Sequence, residues 1–107
     1  MIRFAAILAL LPFTAVAGPY DGFCFAGGPC TGPIEIRDNG FDQCERTCVM
    51  ENPVEVRGLR ASLYDVTCRG DIRLIYERMM FLWVGEGHET QLVAITDDRI
   101  ETLTRCR

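Results

Sequence analysis

Six cysteines (Cys24, Cys30, Cys44, Cys48, Cys68 and Cys106) all lie behind an apolar N-terminal stretch. Exported chains meet oxidising surroundings, where an even set of cysteines is expected to pair. The chain is therefore read as a small domain stapled by three disulfides. Any fold it adopts must bring those sulfurs together. The stretch itself has the parts of a secretory signal. Arg3 is a positive head, Phe4 to Val16 is an apolar run interrupted by Pro12 and Thr14, and Ala15 and Ala17 are small residues where signal peptidase reads. The run is shorter than the roughly 20 residues that cross a bilayer, so residues 1–17 are read as a cleaved signal and not as an anchor. No later segment is long and apolar enough to span a membrane. The expected location is periplasmic or secreted.

Cleavage after Ala17 would leave a 90-residue chain, 18–107, which is one domain. A chain of that size buries only about 60–65% of its unfolded surface, so its apolar interior alone is marginal. Disulfides worth ~2–4 kcal/mol each then matter greatly. Residues 18–33 read GPYDGFCFAGGPCTGP. Their glycines and prolines argue for an irregular arm held by Cys24 and Cys30. Residues 34–107 are the expected β-rich domain.

Short alternating runs punctuated by turn residues predict an antiparallel meander, barrel-like or sandwich-like. Ile34–Arg37 alternates, and Asp38-Asn39-Gly40 is a strong turn signal. Phe41 to Met50 fits either a short helix or a strand, and Asn52-Pro53 is expected to end that element. Val54–Arg57 and Leu59–Cys68 read as strands. Ile72 to Val84 fits a helical face at Ile72, Ile75, Tyr76, Met79, Met80 and Trp83, but the run Met79–Val84 favours a buried strand. Gly85, Glu86, Gly87, His88 and Glu89 form a polar hairpin loop and the candidate binding loop. Thr90–Thr96 and Arg99–Arg105 complete the meander around a turn at Asp97-Asp98.

The same composition excludes much chemistry. There is one histidine (His88), one serine (Ser62) and no lysine. Nothing resembling Gly-x-Ser-x-Gly surrounds Ser62, and no phosphate-binding glycine loop is present. No catalytic residue is assigned, no cofactor is expected, and the chain is read as a non-enzyme. Without Arg3 the chain carries ten arginines against fifteen acidic residues, a formal charge of −5. An acidic chain without a basic run is a poor ligand for nucleic acid.

Cys44 and Cys48 open one metal alternative. On a helix their Cα atoms lie about 6 Å apart along the axis, close enough to share a soft Cu or Zn ion. On a strand they are roughly 13 Å apart and cannot. The even cysteine count favours disulfides, and no metal site is assigned. Connectivity is not fixed by the sequence. The expectation is that Cys106 reaches back to a core cysteine such as Cys68, while Cys24 and Cys30 tie the arm to Cys44 and Cys48.

Tyr64 through Cys68 and Gly70 to Tyr76 resembles the opening of the periplasmic C-type lysozyme inhibitors. That resemblance implies a small disulfide-bearing β-barrel and, as an alternative function, inhibition of a hydrolase. The family's Ser-Gly-rich inhibitory loop has no counterpart here, so no functional residue is carried over. The leading expectation is a non-enzymatic binding or structural module whose partner is another protein or an envelope component. Its candidate recognition elements are the arm at 18–33 and the loop at 85–89.

Overall fold

The computed structural model describes residues 18–28, 30–70 and 73–107. The expected signal at 1–17 lies outside them, as do Pro29, Asp71 and Ile72. The described residues form eight strands: β1 (Phe23–Gly28), β2 (Gly32–Glu35), β3 (Gly40–Gln43), β4 (Arg46–Glu55), β5 (Ala61–Arg69), β6 (Leu74–Val84), β7 (Gln91–Ile95) and β8 (Ile100–Arg105). All neighbours are antiparallel, in the order β2-β1-β8-β7-β6-β5-β4-β3. The β-rich antiparallel expectation is borne out. β3 to β8 make a plain meander, whereas β1 crosses to pair with β8, so the first and last strands lie side by side. The sheet curls until its edges, β2 and β3, approach each other in a nearly closed barrel.

A two-residue turn makes that curl. Asp38 and Asn39 both sit in the left-handed region, with φ 51° and 58°. Arg37 and Gly40 exchange both backbone hydrogen bonds across them, at 2.8 and 2.9 Å. This is the I′ geometry whose twist matches that of paired strands. Asp21 braces the turn, its carboxylate accepting from the N–H groups of Asp38 (3.0 Å) and Asn39 (3.4 Å). Gly40 leaves room for the approach of β4, since a Cβ there would lie 2.8 Å from the Cys48 carbonyl oxygen.

Beyond this turn β2 and β3 part. The second pair onward in that register, past Ile36 and Phe41, would set Glu35 opposite Asp42, and like charges directly opposite destabilise a ladder. β2 instead pairs with β1 and β3 with β4. Pro33, which has no N–H to offer, and the two acids protect these edges from stray pairing. A disulfide from Cys30 to Cys44 joins the edges again at the far end of the slit.

Three stretches correct the sequence reading. The arm at 18–33 is largely regular. It contributes the buried Tyr20, all of β1 and the start of β2. Its glycines serve particular positions: Gly27 has φ 81° where the β1–β2 register slips by one residue, and a Cβ there would collide with the Gly32 carbonyl. Residues 41–50 are two strands with a turn at 44–45, and not a helix. Asn52-Pro53 does not end the element. β4 continues to Glu55 through a bulge, with Asn52 at φ 55° and the pairing moving from Glu51–Asp65 to Val54–Leu63. A bulge tolerates proline because the extra residue makes no ladder bond. From Leu74 onward the ambiguous 72–84 segment is strand. Ile75, Met79, Phe81 and Trp83 face the core, whereas Tyr76 and Met80, members of the helical pattern, point outward.

The core fills the barrel, and its aromatic centre lies near Tyr20, Phe23 and Arg105. Tyr20 stacks on Phe81 with ring centroids 4.7 Å apart, and Tyr64 meets Phe81 edge-on at 5.7 Å. Phe23 sets its edge on Trp83 at 5.5 Å, while the Arg105 guanidinium covers Phe23 at 4.6 Å. Such contacts add about 0.5–1.5 kcal/mol each beyond the area they bury.

The three disulfides are Cys24–Cys106, Cys30–Cys44 and Cys48–Cys68, with Cα separations of 5.3, 5.6 and 4.0 Å. Cys30 does tie the arm to Cys44. Cys106, however, pairs with Cys24 and not with Cys68, because β1 is the neighbour of β8. Cys68 faces Cys48 directly in the β4–β5 register. Their short separation suits the non-hydrogen-bonded pair of an antiparallel ladder, where side chains lie closest.

Candidate functional site

The candidate loop joins β6 to β7. Gly85 needs its φ of 93°, since a Cβ would strike the Glu89 carbonyl. Gly87–Glu89 form a single 3-10 turn, closed by Glu89 N–H to Glu86 O (3.0 Å) and by the Thr90 hydroxyl to Gly87 O (3.0 Å). Arg60, in the β4–β5 turn, donates to the Gly85 carbonyl at 2.6 Å. The base of the loop is therefore anchored to its neighbour, while Glu86, Gly87, His88 and Glu89 are all exposed. His88 is at the tip, away from Ser62, which lies on β5 opposite Phe81.

Cys44 sits in the β3–β4 turn and Cys48 on β4, and each is consumed in a disulfide with a different partner. They offer no thiolate pair to a soft metal. Among the described residues, no group of three or more His, Cys, Asp and Glu side chains is placed to hold a metal ion. Of the acids at the β7–β8 turn, Asp97 and Asp98 are exposed, and the Thr96 hydroxyl donates to Asp98 at 3.0 Å. Glu101 behaves differently. Its carboxylate turns to β1 and accepts the Ala26 N–H at 2.8 Å.

The register exposes a surface that linear reading missed. Val54 pairs with Leu63, Leu63 with Met80, Met80 with Ile95, and Ile95 with Ile100. Directly paired residues point to the same face of a sheet. The alternate positions Tyr64, Met79, Phe81 and Ala94 are buried inside, so this row faces outward. It is apolar across five consecutive strands. Val54 and Ile100 at its ends are 60% and 75% exposed. A second row, Leu82 and Val93, runs beside it and ends at Thr102. With strands about 4.8 Å apart the patch is roughly 19 Å wide, on the order of 300 Å².

One border is polar. On one side lie Glu51, Asp65 and Arg78, with Arg78 donating to Asp65 at 3.2 Å and the Asn52 amide donating to the same carboxylate at 3.1 Å. Leu63 and Met80 belong to this outward row, and alternation alone cannot say which parity faces in. Phe81, by contrast, is fully buried, and Trp83 packs against the core.

Burial holds the Tyr64 phenol above its ordinary pKa, with the neighbouring Tyr20 adding to the effect. At Arg37 the pKa is raised by its hydrogen bond to Glu35, a solvated pair at 3.0 Å. Both groups serve the scaffold: Tyr64 in the aromatic core, Arg37 beside the I′ turn. Comparison with known protein families, curated proteins and solved structures found no match for this chain.

Proposed function

We propose that this chain is a non-enzymatic binding module of the periplasm or cell exterior, and that its contact surface is the outward apolar face of β4–β8. The observation that carries the reading is the row Val54–Leu63–Met80–Ile95–Ile100. A contiguous apolar patch with a polar border is the usual anatomy of a protein contact surface. The partner is accordingly another protein. Three disulfides in so short a chain, behind a predicted signal, support work in an oxidising compartment.

A photo-crosslinking residue at Val54 or Ile100, in protein exported by its own cell, tests this directly. Both positions are expected to give one common protein adduct, and a probe at Tyr76, beyond the charged border, should not. Adducts from His88 with none from the patch would sink the reading. That result would instead favour a second one, an inhibitor that presents its loop to a hydrolase. The observation behind this alternative is the loop held at its base by Arg60. Assay against a C-type lysozyme would then show inhibition that Glu86 and His88 substitutions remove.

A further inference from the structure

The far end of the barrel, where the turns at 44–45 and 96–99 lie, carries a second and independent feature. A cavity of about 260 Å³ opens between the two sheet edges there. Its apolar lining includes Phe25, Ile34, Phe41 and Met79. Gln43, Arg46, Arg99 and Glu101 line the same space. Arg46 and Arg99 bring two guanidinium groups to this mouth against the one lining carboxylate, Glu101, in a chain whose formal charge is −4. The carboxylate is already held to the wall by the Ala26 N–H. Arg99 has only a solvated contact with Asp98, at 3.9 Å.

We propose that this mouth binds one small amphipathic carboxylate, its apolar chain on Phe25, Ile34, Phe41 and Met79 and its head group beside Arg46 and Arg99. An apolar recess with a few convergent polar groups at a barrel mouth is the ordinary form of a small-ligand site. At about 30 Å³ per water the space equals roughly nine waters, which suits a chain of about eight carbons. It is too short for the acyl chains of membrane lipids, so the ligand is a free monomer. Arginine is suited to the head group because its fork stays charged and matches a carboxylate with two donors. The inference does not rest on the outer apolar face, which lies on the opposite side of the sheet.

Calorimetry and amide chemical-shift mapping on the oxidised, intact protein test it with octanoate, octanol and octyltrimethylammonium as probes. Octanoate is expected to bind saturably at one site. Affinity should rise about fourfold per methylene from butanoate and level off near octanoate, as the cavity fills. Shift changes should centre on Phe41, Met79 and Glu101. The double variant Arg46→Gln, Arg99→Gln alters surface side chains, and its fold is checked by its amide spectrum. It should weaken octanoate at least tenfold and leave octanol within about twofold. Equal binding of the cationic probe, shift changes on Leu63 and Met80 instead, or no saturable octanoate binding would each overturn the proposal.

Discussion

The two ends of this barrel are closed in opposite ways. At the end that holds residue 18 and residue 107, the Tyr20 ring lies on Phe81 and Tyr64, with Trp83 and Phe23 beside it. At the other end short turns and the Cys30–Cys44 bridge leave a recess rimmed by arginines. The strands are the same at both ends, so the difference comes from what the chain adds to them. An extra segment ahead of β1 supplies an aromatic plug at one end. At the other the chain only turns round. One end is built for cohesion, and the other keeps space.

Removing one crosslink at each end is the strongest way to break this comparison. Cys24–Cys106 closes a loop of 82 residues and Cys30–Cys44 one of 14. Chain entropy then assigns about 4.5 kcal/mol to the first and about 3 kcal/mol to the second. Urea unfolding of the two double-serine variants should show the larger loss for Cys24/Cys106; equal losses, or the reverse order, would contradict the assigned roles of the ends. Next in size, Tyr20→Ala should cost about 3–4 kcal/mol, because it empties a packed aromatic site, whereas Ile34→Ala, half-buried beside the recess, should cost about 1 kcal/mol. The same denaturation midpoints decide this.

A smaller effect is expected at the anchored loop. Gly85→Ala forces a side chain into positive φ and against Glu89, at a cost of about 1–3 kcal/mol, read as a lower Tm. The smallest effect is a pH dependence. The fold raises the pKa of Tyr64 above 10, so its contribution is fully present below pH 10. It is lost as pH rises from the unfolded pKa through the folded one. Stability should therefore decline in alkali, and Tyr64→Phe should flatten that decline. An unchanged alkaline slope in the variant would assign the effect to other groups.

These contrasts show which parts of the fold could be read from residues alone. The turn at 38–40 was legible from Asn39 and Gly40, which tolerate left-handed geometry, although the left-handed pair is Asp38 and Asn39. β5 and β7 were also legible as strands, because Leu59–Cys68 and Thr90–Thr96 are rich in strand-forming residues. Pro53 misled because a bulge excuses a missing N–H. The glycines of 18–33 misled because Gly27 serves a bulge inside a paired strand. Cys24–Cys106 was hidden because it depends on β1 crossing to β8. The outer row was hidden for a related reason: Val54, Leu63, Met80, Ile95 and Ile100 are scattered along the chain, and only lateral register gathers them.

The pairing of first strand with last has a consequence for biosynthesis. Cys24 is the first of the six sulfurs to emerge, and its partner Cys106 is the last. Until Cys106 is made, Cys24 can meet only the wrong thiols, with Cys30 six residues away the nearest. Any bridge that Cys24 forms early must be undone by thiol–disulfide exchange before the barrel can shut. Recovery of correctly bridged protein should therefore depend on an isomerase more than on an oxidant.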